Sequence, residues 1–595
     1  MILQALKEYY DRKAADPESN IAPFGWEWKE IPFIIVLNNN GVPVDIKPTV
    51  EGTGKNKKTQ WFLVPQSVIR TGEKTETREY KSNLLWDTID YTIGFPSGDN
   101  KNIAICNKQH QAFKEKIAAL DTIDDPGFIA LQKFLELSDK ENKLKKYDKW
   151  EELKKKGLAH VFKLAGIEGI LTDTQKVRQA INEFIKKVSE SSSNKICCLV
   201  SGEPDEIELT HAKIKGVLGC KSTGGSIVSV NFSAGESFGR RQGSVSPIGK
   251  HAAFFFATAL NTLLSRDSKQ KLQVGDATTV FWAEKRDKFE EDFGDFWAEP
   301  PGDNPDRLTN AVKSLYKSVD TGAFVTDSDN TRFYVLGLSP NAARISVRFW
   351  HVGTISEFAS RFREYFDDLR IVHGSKDKDH LPLWRYLISL AALGKTENIP
   401  HGLAGNIMRA ILEGLPLPLS LLQVAILRNR AEQDVTYPRA ALIKAALNRS
   451  IKNSKSTTER KLKMSLDTEN DNVGYRLGRL FAVLGNVQHA ALGGQTNTTI
   501  RDRYYSAAST APASVFPTLL RNTKNHLGKL RKEKSGLAVK LEKEIQEILW
   551  GRDNEIKSGV PDFPAHLFLK DQGRFAIGYY HQRQDFFTKH NTVKE

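Results

Sequence analysis

Gly235-Glu236-Ser237-Phe238-Gly239 has the spacing G-x-S-x-G, the turn that presents a nucleophilic serine in hydrolases. Just beyond it, Gly243 to His251 nearly spells G-x-x-x-x-G-K-[ST], the loop that cradles nucleotide phosphates. Neither chemistry survives a check of what it requires. A serine elbow needs a helix directly after it, yet Gly239 to Ser246 still reads as loop, and His351, His373 and His401 stand in no recognisable context. The nucleotide loop fails on spacing, with five residues rather than four between Gly243 and Gly249. His251 occupies the place of the magnesium-binding Ser or Thr, and Pro247 removes one backbone donor. No H-E-x-x-H, no His-Asp doublet and no compact acidic constellation points to a metal-dependent nuclease, although scattered carboxylates can still converge in a fold.

What both motifs share is a phosphate-friendly turn. The pattern predicts a strand over Ile227–Phe232, a glycine-rich loop, and a helix capped by Ser246 with Pro247 as its first residue. The following "AAFFFATALNTLL" is apolar nearly all round, so its helix should be buried. Arg240 and Arg241 lie in the loop, and Lys250 and His251 in the first turn. Cations at a helix amino terminus are unfavourable unless something negative is near, and Glu236 is the only acid in the loop. An external phosphate would account for the arrangement; a solvated basic loop is the alternative.

The elements around this turn follow from the rest of the chain. At 595 residues it exceeds one hydrophobic core, and a net charge of +14 favours a polyanionic partner. Four cysteines with no C-x-x-C pair form neither a disulfide framework nor a zinc site, and Cys197-Cys198 suit a buried strand. The compartment reads as reducing and cytoplasmic; "MILQALKEYYDRK" is a short amphipathic helix rather than a signal peptide, and no stretch is long enough to span a membrane. "PFIIVLNNNGVPVDI" predicts a hairpin and "WFLVP" a strand; Gln111 to Gly157 reads as helical, and Thr172 or Asp173 can cap the helix after it. Strands are expected at "NKICCLVSG", "GGSIVSVNF", "TTVFWAE" and the pair "RFYVLGL" and "RISVRFWHV", joined by Ser339-Pro340-Asn341. In the last of these, Arg344, Ser346 and Arg348 should share one face and Ile345, Val347 and Phe349 the other. Beyond Ser356 the pattern is helical. The fold class is therefore α+β: a mixed strand and helix amino-terminal region, residues 1–355, then a helical connecting segment, 356–463, and an all-helical bundle, 464–595.

These same residues carry a family resemblance. "KGVLGCKSTGGSIVSVNFSAGESFGRRQGSVSPIGKHAAFFFATALNTLL", "GDATTVFWAE" and "RFYVLGLSPNAARISVRFWHVG" resemble the signature blocks of the large subunit of the type I-C CRISPR interference complex, Cascade. "MILQALKEYY", "CCLVSGE" and "RDRYYSAASTAPASVFPTLLR" fit as well, so the likeness runs nearly end to end; Val230 and Gly235 depart from the aromatic residue and the phenylalanine expected there. The resemblance implies a non-catalytic subunit without cofactor or metal. Its partners would be the crRNA, target double-stranded DNA, the handle-binding, backbone and small subunits, and the helicase-nuclease, with no membrane. Guide pairing reads the long sequence, while protein inspects the short flanking duplex motif, the PAM, from the minor groove, where the code is degenerate.

Carried onto this chain, the resemblance places the reader at Asn231, Ser237, Gly239, Gln242 and Ser244, with Arg240, Arg241 and Lys250 on phosphate. Phe238 is the candidate wedge that opens the duplex, against the alternative of core packing. Lys55, Lys57 and Lys58 form a second basic loop, for duplex or RNA handle or merely solvated; Arg344 and Arg348 suit backbone contact or pairing with acidic neighbours. Arg521, Lys524, Lys529, Arg531, Lys532 and Lys534 make a basic helix for single-stranded DNA, whose binding should weaken steeply with salt. The rivals are a stand-alone DNA-acting enzyme, nuclease or nucleotide hydrolase, and a scaffold whose charge serves RNA packing alone. In this family the terminal helices can also be made separately from an internal start, here assigned to Met464. Expression of the gene should then yield a second product of the mass of Met464–Glu595, and a single full-length product would refute that start.

Overall fold

The computed structural model describes the chain except residues 53–57, 71–79, 98–101, 121–122, 156, 191–194, 231, 301, 303, 305, 321–329, 455–458, 494–497, 551–562 and 588–595. It is α+β, with two compact units: Met1–Lys215 with Ser222–Thr262, and Gly216–Lys221 with Leu263–Glu595.

In the first unit, β1 (Trp26–Glu30) pairs with β6 (Trp61–Pro65), and β4 (Val50–Glu51) with β5 (Lys58–Thr59). The central sheet runs β3 (Pro43–Pro48), β2 (Phe33–Leu37), β8 (Ala159–Leu164), β7 (Trp86–Thr88), with β2 and β8 parallel and the other neighbours antiparallel. The predicted Asn-Gly hairpin joins β2 to β3, and Asn38 closes it by accepting from the amides of Asn40 and Val42. Strand β2 is apolar throughout because both its faces are covered. Phe33, Ile35 and Leu37 pack with Phe128, Leu131 and Phe134, while Ile34 meets a smaller cluster around Val64, Trp86 and Val161.

The segment that follows is poorer in strand than its sequence predicts. Only Lys195–Cys197 (β9) and Pro204–Glu206 (β10) pair there among the described residues; Cys198 is buried but Cys197 is exposed. "GGSIVSVNF" forms no strand among its described residues, only isolated bridges at Gly225, which pairs with Ile214, and Ser226. Its apolar alternation is met by loop packing, because no described strand lies alongside to complete a hydrogen-bond ladder. The predicted helix also starts later, at Lys250 rather than Pro247. Pro247, Ile248 and Gly249 are held extended, because their backbones pair with Leu199, Glu208 and Ile207. Once begun, Lys250–Leu263 is buried as expected. The helix Gln175–Glu190 is preceded by Thr174, not by Thr172 or Asp173, which sit in a 3-10 turn.

The second unit contains an antiparallel meander, β11 (Lys271–Val274), β12 (Ala277–Ala283), β13 (Arg332–Asn341) and β14 (Arg344–Thr354). Pro340 pairs with Ile345 and Asn341 with Arg344, so the turn lies at Ala342-Ala343, beyond the Ser339-Pro340-Asn341 predicted. The predicted two-faced alternation of β14 also fails. Leu338 pairs with Val347 and Gly337 with Phe349, leaving Arg348 as the extra residue of a bulge. Val347 and Arg348 are accordingly exposed side by side, because a bulge interrupts the alternation that would send one of them inward.

One continuous core runs from this sheet through Phe281, Phe293 and Phe362 to the last helices, including helices on both sides of Met464. Helices Val473–Leu492 and Leu569–Phe587 cross at backbone contact: a Cβ on Gly478 would run into the Phe575 carbonyl, and one on Gly578 into that of Tyr475. Among the described residues no helix is long and apolar enough to cross a membrane. Gly478→Ala should therefore destabilise the protein by about 1–3 kcal/mol through overpacking. Gly485→Ala, in the same helix with open space around it, should instead stabilise by about 0.5–1 kcal/mol. Thermal melting of the whole chain checks the pair, and equal shifts for both would refute the close crossing.

Candidate nucleic-acid interface

The helix Lys250–Leu263 is the base of the glycine-rich segment, held by its aromatic side chains. Phe255 stacks on Tyr10 with centroids 4.5 Å apart, and the His251 ring lies on Phe24 at 4.1 Å. Its amino terminus is closed by the protein itself. The Asp205 carboxylate accepts from the His251 amide at 3.0 Å and stands 3.2 Å from His251 Nδ1. Lys250 pairs with Glu206 at 2.7 Å. The expectation of an open, anion-seeking helix end is thus corrected: two carboxylates from β10, forty-odd residues upstream, settle the charge of the first turn. Burial raises the Glu208 pKa beside them, with Glu206 and Asp205 adding to the rise. Burial also works to raise the Cys198 thiol, but hydrogen bonds from Ser201, Gly249 and Val200 outweigh it and hold it below its ordinary value.

The loop in front of this base keeps its own cations. Ser237 to Arg240 form a two-residue hairpin turn, with the Arg240 amide donating to the Ser237 carbonyl at 2.9 Å. Its central residues, Phe238 and Gly239, have φ of 54° and 70°, the positive pair that a type I′ turn needs. Glycine suits that backbone. Phenylalanine does not, since a left-handed conformation costs an ordinary side chain about 1–2 kcal/mol. Nothing repays it within the chain: Phe238 is 99% exposed, so core packing is excluded as its role. Gln242 is also left-handed, at φ 49°, and exposed.

Arg240 is exposed and has no ion pair among the described residues, and Arg241, 84% exposed, comes no closer than 3.9 Å to Glu236. The Ser244 hydroxyl is spent inside the loop on the Arg241 backbone. Ser237 sits at the corner of this hairpin, not at a strand-to-helix elbow. The structure therefore gathers Ser237, Phe238, Gly239, Arg240, Arg241, Gln242 and Ser244 into one projecting turn, and leaves Lys250 tied behind it.

The other predicted residues fall elsewhere. Asn231, Lys55 and Lys57 lie outside the described residues; Lys58 is exposed in β5, opposite Glu51. In the second unit Arg348 pairs with Asp276 at 3.1 Å, and Arg344 is half-buried with partners of its own. Arg521, Lys524, Lys529, Arg531 and Lys532 lie exposed along the helix Pro512–Glu533, and Lys534 follows it. Of these, Arg531 is claimed by Glu542 at 2.5 Å. Sequence reasoning missed Asp205 and Glu206, and no local signal could have found them, because their partners are distant in the chain. Among the described residues no group of three His, Cys, Asp or Glu is placed to hold a metal.

The chain matches the family described as CRISPR-associated protein (Cas_Csd1) over residues 6–587. No curated protein matches it. The match covers nearly the whole chain, so the protein belongs to that CRISPR-associated family, as a component of a CRISPR effector complex.

If Asp205 closes the helix, Asp205→Ala should cost about 0.5–2 kcal/mol, the value of a lost amino-terminal cap, and Asp205→Asn much less. Thermal melting of the two variants measures this; equal losses would deny the capping role.

Proposed function

We propose that this protein is the non-catalytic large subunit of a type I-C CRISPR RNA-guided surveillance complex, and that the Ser237–Arg240 hairpin inspects and opens the short duplex flanking the target. One observation carries the reading: a wholly exposed phenylalanine held at positive φ on the tip of a tight turn. Folding gains nothing from it, and a residue kept against local preference points to a task outside the chain. A ring on a rigid tip can enter a base step and unstack it, at a cost of a few kcal/mol repaid by contacts to the opened DNA.

The neighbours fit that task. Arg240, with no ion pair among the described residues, and Arg241, exposed and only loosely paired with Glu236, flank the tip with charge available to phosphate. Gln242 can donate to the acceptors on the minor-groove floor, where the code is degenerate. Asp205 and Glu206 fix the base of the hairpin and offset the charge of Lys250, so that the exposed positive charge of this segment lies toward the tip. In the same reading the subunit helps to anchor the crRNA 5′ handle and recruit the helicase-nuclease. The exposed face of Arg521, Lys524, Lys529 and Lys532, unpaired among the described residues, stabilises the displaced strand of the R-loop.

In the assembled complex, Arg240→Ala with Arg241→Ala should weaken binding to every flanked duplex alike. It should also flatten the salt dependence by about 0.9 in log–log slope for each phosphate that is no longer neutralised. Gln242→Ala should narrow the preference between flanks. Phe238→Asn, which suits the turn, should keep or raise stability yet slow opening of a closed duplex by about tenfold or more, the equivalent of losing about 1.4 kcal/mol of barrier lowering. A pre-opened flank should bind normally. Unchanged flank preference and opening in all three would remove the hairpin from target inspection. Robust turnover of DNA or ATP by the purified chain with divalent metal would favour an enzyme instead.

A further inference from the structure

The second unit contains an open cleft of about 430 Å³ between the helix Arg307–Asp320, the segment from Arg370 to His380, and Met464. Volumes of this order suit a small organic ligand rather than a lone ion. The buried residues Val312 and Ile371 give it an apolar floor.

Above that floor stands His380, part-buried, with its ring 5.6 Å from that of Phe366 and 6.4 Å from that of Tyr316. No hydrogen bond occupies its ring nitrogens among the described residues, and burial lowers its pKa. The neutral ring thus offers one donor and one acceptor. Two cations stand at the exposed rim. Lys313 has no ion pair among the described residues, and Arg370, 57% exposed, approaches Asp367 only to 4.0 Å.

The nearby carboxylates are already engaged. Asp367 accepts from the Tyr316 hydroxyl at 2.7 Å, and Asp379 stands 3.2 Å from His373 Nε2. What remains is an apolar surface, a donor–acceptor pair beside it, and two cations at the edge, Lys313 without an ion pair among the described residues and Arg370 held only by a long, exposed contact to Asp367. These are the complements of a flat heterocycle with a polar edge and an attached phosphate.

We propose that this cleft binds a nucleoside monophosphate, with its base against the apolar floor and the His380 ring, and its phosphate between Lys313 and Arg370. The Met464 carbonyl accepts from the Val372 amide at 2.8 Å beside the same cleft, so an occupant touches three stretches of chain far apart in sequence. The inference does not depend on the hairpin's role in DNA reading.

Calorimetric titration of the full chain with adenosine 5′-monophosphate, adenosine and inorganic phosphate tests it. The monophosphate should saturate with a Kd below about 1 mM. Lys313→Ala with Arg370→Ala should weaken it about tenfold or more while leaving adenosine nearly unchanged, as loss of charge-assisted bonds alone would do. His380→Ala, or His380→Gln should the alanine variant fail to fold, should weaken both. Lys524→Ala and the Arg240 and Arg241 variants should change none of these values, so failure here is separable from failure of the hairpin reading. Absence of saturable binding overturns the proposal, as does binding that the double variant leaves intact. Phosphate binding as tightly as the monophosphate overturns it too, because the base would then contribute nothing.

Discussion

The contact between Asp205 and the first turn of the helix Lys250–Leu263 decides how the rest of the glycine-rich segment behaves. A helix amino terminus carries unpaired amides and a positive field, and it will take whatever negative group is nearest. Here that group is the chain's own carboxylate, seconded by Glu206 on Lys250. The helix end therefore cannot serve as the phosphate site, and the cations that remain available are those of the loop ahead of it. Because the helix behind is pinned through Tyr10, Phe24 and its own buried face, the loop is anchored on a rigid base.

That division between settled and unsettled charge recurs through the molecule. Arg449 is almost fully buried and meets Asp368 at 2.5 Å, and the half-exposed Arg348 meets Asp276. Buried cations demand such partners, since an unpaired charge in the interior costs several kcal/mol. Cations left without carboxylates among the described residues include exposed ones on turns and helix faces, such as Arg240 in the first unit and Lys313, Arg521, Lys524, Lys529 and Lys532 in the second. The buried Lys444 and Arg476 donate to the backbone carbonyls of Asp368 and Glu547 instead. The excess of basic residues is thus carried largely on surfaces where water can hold the charge.

Strain follows the same geography. Phe238 and Gln242 adopt left-handed backbone within five residues of one another, both exposed. Elsewhere a positive φ falls on glycine for the most part, where it costs nothing. Two disfavoured conformations on one projecting loop persist only because the flanking hydrogen bonds, from the Arg240 amide and within the Gln242–Val245 turn, over-determine them.

Local pattern was enough for elements whose cause is local. The β2–β3 hairpin, the buried character of Lys250–Leu263 and the helical period of Leu477, Leu480, Phe481 and Leu484 were all legible, because turn chemistry and apolar spacing act within a few residues. The family blocks were legible in the same way. The strand predicted over Ile227–Phe232, the helix start at Pro247 and the faces of β14 were not. Each depended on a partner elsewhere: a pairing neighbour that no described strand provides, the claims of Leu199 and Glu208 on the Pro247–Ile248 backbone, and the bulge imposed by Gly337 opposite Phe349. The candidate site divides along the same line. Sequence alone determined that a glycine-spaced, arginine-bearing turn precedes a buried helix. Only tertiary structure decided that Asp205 and Glu206 would silence the helix end and that Phe238 would point into solvent, because both outcomes rest on contacts, made or missing, between segments that the chain order keeps apart.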